Sequence, residues 1–233
     1  GYYNTAARKA YLLNRSVLTN QSKVLVGDSV FYDETLKFGE AFGDVEMDDT
    51  LNRVMLLGEY CYSNELTGYA FATDSAVAID YSQGDSLFIH GDTLRLLTRF
   101  PDTDSVYRIV QAYHKVRVYR EDVQAVCDSM EFNSLDTCMT MYYDPVIWNG
   151  PQQVLGEVIR VYMNDSTVEW AHVENQALIV EQVDTGHYNQ ISGREVKAYF
   201  KDGAIDKSDV IGNVMVVYYY IEEGDSVAFG MNT

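Results

Sequence analysis

The chain has little positive charge: 17 Lys+Arg stand against 35 Asp+Glu among its 233 residues, which gives a formal net charge of 17 − 35 = −18. Its densest basic stretch, Arg117 to Arg120, is interrupted and is followed at once by Glu121 and Asp122. Nucleic acids are bound through clustered Lys and Arg that neutralise phosphates. The sequence therefore predicts that nucleic acid is not a partner.

Long apolar runs are also missing. The longest, Val214 to Ile221, has eight residues, three of them tyrosines, whereas a membrane-spanning helix needs about 20. Apolar residues still make up 47% of the chain, the ordinary share for a folded protein, so the acidic residues decorate a folded surface. No secretion signal is visible, but the sequence starts at Gly1 without an initiator Met, and we expect that a targeting segment has been removed.

Cysteine is scarce as well. Cys61, Cys127 and Cys138 cannot all pair, and none of them belongs to a CxxC or Cys/His cluster of the kind that binds zinc. We favour buried free thiols, with one disulfide as the alternative. Neither interpretation fixes the redox compartment.

Recognisable catalytic spacing is absent. The four histidines are scattered, without a serine, cysteine or carboxylate at a recurrent catalytic distance along the chain. Gly-Asp-Ser triplets begin at Gly27, Gly84 and Gly224, but a nucleophile elbow needs a strand-to-helix turn. Clustered acids such as Asp44 and Glu46 are interpreted as a solvated face. We therefore predict a protein that is not an enzyme and has no catalytic residue, no metal site and no cofactor.

Strand-forming residues are plentiful. Val, Ile, Thr, Tyr, Phe and Trp together number 81, about a third of the chain. These side chains suit a pleated, half-buried surface. An all-β fold is predicted.

A short motif recurs about every 33 residues. It consists of a small residue, usually followed by an acid, with apolar residues three and five places after the small one, as in Gly27-Asp28, Val30 and Tyr32. Seven copies stand at intervals of 31, 33, 36, 29, 37 and 31 residues, beginning at Gly27, Gly58, Gly91, Cys127, Gly156, Gly193 and Gly224. A period of this size is typical of stacked structural units.

The apolar spacing within the motif slips by one residue. Four positions of each motif are predicted to face inward: the small residue itself, the residue two places before it, and the residues three and five places after it. A regular strand would instead alternate with period two. The slip falls at the acid, beside a glycine. It predicts a bulge or a sharp strand corner there.

A second element follows each motif, as at Ala41 to Val45, where Ala-Phe precedes Gly-Asp-Val. Turn-forming residues separate the two elements, for example Asp33-Glu34-Thr35 and Asn133-Ser134. Each unit is therefore predicted to be two strands joined by a turn, and neighbouring units must stack to bury their apolar faces. Residues 1–17 match only half a unit and the unit at Gly224 is unfinished, so we treat 1–233 as one repeat domain cut from a longer chain.

The order of these elements, complete from Leu25 to Val45 and repeated along the chain, resembles the OstA-like family, which is related to the periplasmic lipopolysaccharide-transport protein LptA. The resemblance implies a β-jellyroll (β-taco) of two facing twisted sheets, with an apolar slot that holds the acyl chains of lipopolysaccharide. It further implies a periplasmic location, a role in outer-membrane assembly, and end-to-end stacking into a bridge. The implied partners are lipopolysaccharide or another acylated glycolipid, and other bridge proteins or the chain itself through edge strands.

The resemblance also implies which residues line the slot. From the first elements these are Val30, Tyr32, Leu94, Leu96, Met130, Phe132, Ile159, Val161 and Val196, and from the second elements Val45, Val116, Val118, Val146, Trp148, Val214 and Val216.

Other interpretations stay open at the level of sequence. The apolar columns are also what a slot simply filled by side chains would show. A carbohydrate-binding or carbohydrate-active β-solenoid would use some of the nineteen tyrosines to stack sugars. A protein-interaction scaffold would pair its edge strands with other chains.

Overall fold

The computed structural model describes residues 1–20, 22–82, 84–100, 103–164, 167–201, 204–220 and 230–232. Within these ranges the chain forms strands and turns without any helix, so the all-β prediction is confirmed. Nothing in this part of the chain is a helix long and apolar enough to cross a membrane.

The residues that the structure describes form eighteen strands. In chain order they are β1 (Tyr2–Asn4), β2 (Lys9–Asn20), β3 (Lys23–Asp33), β4 (Phe38–Asp49), β5 (Val54–Asn64), β6 (Tyr69–Asp80), β7 (Leu87–Arg99), β8 (Tyr107–Tyr119), β9 (Val123–Asn133), β10 (Cys138–Tyr142), β11 (Val146–Asn149), β12 (Gln152–Leu155), β13 (Val158–Asn164), β14 (Thr167–Gln182), β15 (Tyr188–Lys201), β16 (Ala204–Ile211), β17 (Met215–Tyr220) and β18 (Gly230–Asn232).

The chain divides into two compact units. Unit 1 comprises residues 1–120 and 131–135, and unit 2 comprises residues 121–130 and 136–233. The predicted last motif copy, Gly224-Asp225 with Val227 and Phe229, lies outside the described residues.

Unit 1 is an antiparallel meander in which each strand from β2 to β8 pairs with the next one along the chain. The register shifts once in every pair, for example between Val26 and Ser29 where β3 meets β4. These shifts divide each long strand into two segments that meet at a corner. The corners of β3, β5 and β7 fall at the predicted slip.

The corners of β3, β5 and β7 carry glycine, and the neighbouring strand approaches each of them closely. A Cβ atom on Gly58 would lie 3.1 Å from the carbonyl oxygen of Thr73, and one on Gly91 would lie 3.2 Å from that of Tyr113. In unit 2, a Cβ on Gly156 would lie only 2.5 Å from Cγ1 of Val173. The glycines of the motif are therefore set by packing across the sheet.

The corners of the even-numbered strands form in a different way, through two consecutive residues with positive φ. In β4 these are Gly43 (75°) and Asp44 (45°), and in β8 they are His114 (60°) and Lys115 (54°). Seven such pairs occur in the described chain, at residues 14–15, 43–44, 74–75, 114–115, 143–144, 175–176 and 212–213. Left-handed backbone favours Gly, Asn and Asp, which accounts for much of the composition at these positions.

Side chains close the turns that join consecutive strands. The Oδ1 atom of Asp33 accepts hydrogen bonds from the backbone N–H groups of Thr35 (3.0 Å) and Leu36 (2.9 Å). Asn64 and Asn133 close their turns in the same way. These are the turns that the sequence predicts, and the side chain mimics a backbone acceptor in each.

Unit 2 is organised around the long strand β14, which bends at Asn175 and Gln176. On one side its first half pairs with β13 and its second half with β12, and on the other side both halves pair with β15. Strand β15 pairs in turn with β16 and β17. The two-segment strand with a corner therefore recurs in unit 2.

All three cysteines are free and buried, as favoured from the sequence. Burial raises the pKa of Cys61 and of Cys127 to about 12. Both thiols are therefore protonated at neutral pH and serve as small core residues.

Replacing Gly156 by Ala should destabilise unit 2 by about 1–3 kcal/mol, because the new methyl group collides with Val173. Combining it with Val173→Ala, which removes the colliding atom, should cost less than the sum of the two single changes. Urea unfolding of the four proteins gives the coupling energy. Strictly additive effects would contradict the close approach.

Asp33 should make stability depend on acid pH. Its pKa lies below its ordinary value of 3.8, mainly because the Leu36 N–H binds the carboxylate, with Lys9 assisting against the opposing effect of burial. Because the folded pKa is the lower one, the stabilisation is complete above about pH 4 and is lost as the pH falls through the folded pKa.

The variant Asp33→Asn should therefore melt below the native protein at pH 7, and the gap should close at pH 2. Asp85→Asn, at an exposed position, controls for the loss of one negative charge. A gap that stays constant between pH 7 and pH 2 would show that the Asp33 charge contributes nothing.

Candidate functional site

The candidate site is the apolar inner face of the bent sheet. In unit 1 we call arm A the strand segments on the Asp33 side of the corners, residues 9–13, 29–33, 38–42, 60–64, 69–73, 93–99 and 107–113. Arm B comprises the segments beyond the corners, residues 16–20, 23–26, 45–49, 54–57, 76–80, 87–90 and 116–119.

Next to the corner, the inner face of arm A is sealed. One cross-strand row runs from the half-buried Leu12 in the edge strand β2 to β8, and its members past β2 are buried: Val30, Ala41, Cys61, Ala72, Leu94 and Ala112. Most of these side chains are small, and Ala72 and Ala112 have no exposed surface. On the arm B side of the corner, Val45, Ala76 and Val116 are equally buried.

Farther from the corner the same inner face stays largely apolar but is only half-buried. In arm A the next inward row includes Tyr32, Ala70, Leu96 and Val110. In arm B the corresponding row includes the half-buried Leu25, Met47, Leu56 and Ile89, and it ends in β8 at Val118, which is buried. Access to apolar surface therefore increases with distance from the corner in both arms.

In unit 2 we likewise call the strand segments on the two sides of the β14 corner its two arms, and these pack against each other. The core cluster of unit 2 joins Ile159, Val173 and Val196 on one side of the corner with Ala177 and Ile179 on the other. Ile147 and Val154 pack against this cluster from the short strands β11 and β12. Near the corner, side chains thus fill the space between the arms.

The environment of the inner face is one of low polarity. Burial is the main cause that raises the pKa of Tyr32, and the carboxylates of Glu65, Glu34 and Asp33 add to it. Tyr32 shares its row with the polar Ser63 and lies over Gly39, where a Cβ would be 3.4 Å from its ring. The Tyr32 hydroxyl thus stays neutral.

The structure places the sixteen predicted lining residues in three groups. Eight are buried: Val30, Val45, Leu94, Val116, Val118, Met130, Ile159 and Val196. Five are half-buried: Tyr32, Leu96, Phe132, Val146 and Val161. Three are exposed: Trp148, Val214 and Val216.

The placement of Val146 and Trp148 differs from the expectation by one residue. In β11 it is Ile147 that pairs with Ala125 and Val154 and packs on the core, whereas Trp148 pairs with Gln124 and Gln153 in the alternate row. Successive side chains in a strand point to opposite faces, so a slip of one residue exchanges the faces. Val214 precedes β17 and is 52% exposed, while Val216 pairs with Ile191 at the edge of unit 2.

The arm B row of Leu25, Met47, Leu56 and Ile89 is missing from the predicted lining. The signal for three of its members was present, because Leu25, Leu56 and Ile89 are the apolar residues that stand two places before the motif's small residue. Met47 lies in the second element that begins at Ala41, where Val45 alone was assigned to the lining.

The outer side of the corners has a different character. A shallow hollow there is lined by Glu59, Thr73, Asp74, Ser75 and Asp92. Among the described residues no group of three His, Cys, Asp or Glu side chains is placed to hold a metal ion. We interpret these carboxylates as the solvated acidic face that the composition predicts.

Comparison with protein-family models and with curated protein sequences gives no match. Among solved structures, the chain is similar to LptH from Pseudomonas aeruginosa, described as the periplasmic LptA-homologous component of the lipopolysaccharide transport device. The similarity covers 48% of this chain and 76% of that one, with 14% sequence identity and a TM-score of 0.39. A superposition this loose decides neither family nor function, which must be argued from the residues themselves.

The inward orientation of the rows can be tested on one strand. Replacing Leu94, which is 3% exposed, by Asp should destabilise the fold by about 3 kcal/mol or more, because the new charge would be buried without a partner. The same change at the neighbouring exposed Arg95 should cost less than about 1 kcal/mol. Equal losses in denaturant unfolding would show that the two faces have been confused.

Proposed function

We propose that this protein is a non-enzymatic carrier of an acylated glycolipid of the lipopolysaccharide class. The observation that supports this most is the pair of half-buried apolar rows on the inner faces of the arms of unit 1. A purely structural core would be sealed along its whole depth. Here the core is sealed at the corner and becomes accessible away from it.

An acyl chain suits such a surface because it is flexible, narrow and apolar. Each methylene group removed from water contributes about 0.8 kcal/mol, so a few buried methylenes outweigh the cost of ordering the chain. The sugar portion would stay in water beyond the ends of the arms. Binding and release require only that the lipid slides along apolar rows, without any bond being made or broken.

The location and the assembly belong to the same proposal. The repeated motif resembles those of OstA-like proteins, which supports a periplasmic location and a role in lipopolysaccharide export. Among the described residues, strand β2 pairs with β3 along its length, whereas on its other side β1 pairs with Lys9, Ala10 and Tyr11 alone. We propose that the rest of this edge adds a strand from another transport protein or from a second copy, since edge strands offer unpaired backbone groups.

The negative charge of the chain opposes the binding of a ligand that carries phosphates. Lipid A carries phosphates, and a chain with a net charge of −18 repels them. At about 0.1 M salt this repulsion is screened beyond roughly 10 Å, and divalent cations bridge carboxylates to phosphates at short range. Acyl burial, rather than charge, therefore carries the affinity in this proposal.

Two pairs of adjacent leucines provide a matched test. Leu56 and Leu96 belong to the inner rows, while Leu57 and Leu97 lie beside them in the alternate rows, and all four are half-buried. A photo-crosslinking residue at position 56 or 96 should capture lipopolysaccharide in the periplasm of a Gram-negative cell, and one at 57 or 97 should not. Mass spectrometry of the crosslinked band identifies the lipid.

Because the members of each pair have the same side chain and similar exposure, non-specific stickiness would label both. Equal labelling within each pair, or empty probes at positions 56 and 96 in protein that folds normally by circular dichroism, would contradict the carrier proposal.

A further inference from the structure

The outer face of arm A carries a continuous network of aromatic rings. Nine rings on strands β1 to β6 form it, and we call them the aromatic face: Tyr2, Tyr11, Phe31, Phe38, Phe42, Tyr60, Tyr62, Tyr69 and Phe71. Successive ring centroids are 4.6–6.3 Å apart. These residues alternate with the buried row, so they point away from the apolar site described above.

The aromatic face is accessible and its rings are not closed into a single stack. Tyr2 is 61% exposed and Phe42 is 45% exposed. The ring planes of Tyr11 and Phe31 are inclined by 47°, and those of Phe31 and Phe38 by 56°. Tilted rings cover one another only in part, which leaves ring surface open to a ligand.

Polar groups lie between the rings. The hydroxyl of Tyr60 donates a hydrogen bond to Oε1 of Glu40 (3.0 Å), and Nδ2 of Asn64 donates one to the hydroxyl of Tyr62 (3.3 Å). The outer face of arm B differs, because the row of Val26, Glu46, Leu57 and Val77 on strands β3 to β6 contains no aromatic ring. Rings interleaved with hydroxyl, amide and carboxylate groups match a ligand that has both C–H faces and hydroxyls, and this is the chemistry of a sugar ring.

Charge on the aromatic face is largely balanced internally. Lys9 Nζ lies 3.0 Å from the carboxylate of Asp33, and Arg8 pairs with Glu34. The surface therefore presents little net charge, in contrast to the chain as a whole, and it favours an uncharged ligand.

The extent of the network sets the size of the ligand. It crosses six strands, and at about 4.8 Å between neighbouring strands this corresponds to roughly 24 Å. A single sugar would cover only a fraction of that length. We propose that the aromatic face binds an extended neutral polysaccharide that runs across strands β1 to β6.

The test uses the full chain, free of lipid, and isothermal titration with neutral hexasaccharides of glucose, mannose, xylose and galactose. At least one should bind, and its affinity should fall about tenfold or more in Tyr62→Leu and in Phe71→Leu. Leucine keeps apolar volume at these sites but removes the ring. Tyr2→Leu, at the most exposed ring, provides a variant that leaves the core of the network untouched and should also weaken binding.

Tyr119→Leu is the matched control, since Tyr119 is a 53% exposed tyrosine of arm B outside the network, and it should bind the sugar normally. Failure of all four hexasaccharides to bind would overturn the proposal. So would equal binding of the corresponding monosaccharide, equal binding of the anionic polymer alginate, or equal loss in Tyr119→Leu.

Self-association detected by sedimentation, lost in Phe71→Leu and unaccompanied by sugar binding, would instead assign the face to a second copy. Because lipid is absent from these measurements and the inner leucines are unchanged, the outcome is independent of the carrier proposal.

Discussion

The architecture depends on how closely neighbouring strands approach at the corners. A sheet that bends back on itself brings its inner faces together at the bend, and the space there is filled mostly by small residues, glycine, alanine, cysteine and valine. Gly58, Ala72 and Ala76 lie at successive positions of this kind in β5 and β6. The density of packing at the corner fixes the register, and the register in turn decides which apolar residues face inward along both arms.

The same constraint separates the chemistry of the two surfaces. Residues on the inside of the bend have no solvent and must be small and apolar, while the acid that follows the corner glycine is forced outward, as with Asp28, Glu59 and Asp92. Much of the negative charge is thereby collected along the outside of the bends. The inner rows stay free to present hydrocarbon surface, and the acidic composition and the apolar site do not interfere with each other.

The sequence predicts the odd-numbered corners well, because their signal is local: a small residue, an acid and a change of phase in the apolar spacing. The turns that follow Asp33 and Asn133 are predicted equally well, because their residue types favour tight turns. The residues of the site are harder to predict, because successive side chains along a strand point to opposite faces. An error of one residue therefore exchanges the two faces for the rest of the strand. This happened at β11, where the corner falls at Tyr143 and Asp144 and the following Pro145 leaves Ile147, not Trp148, facing the core. The aromatic face could not be predicted, because ring contacts across six strands depend on register between strands that no single stretch of sequence encodes.

The left-handed residue pairs in the even-numbered strands affect how such a chain can evolve. Each hairpin carries its own corner and its own turn, and its contacts are mainly with the hairpins on either side. In proteins built this way, stability is close to a sum over units and their interfaces. Duplication or loss of one whole hairpin therefore preserves every other corner, whereas an insertion of one or two residues within a strand disturbs the phase of all that follows in it. Length should vary among descendants of this chain in steps of whole hairpins.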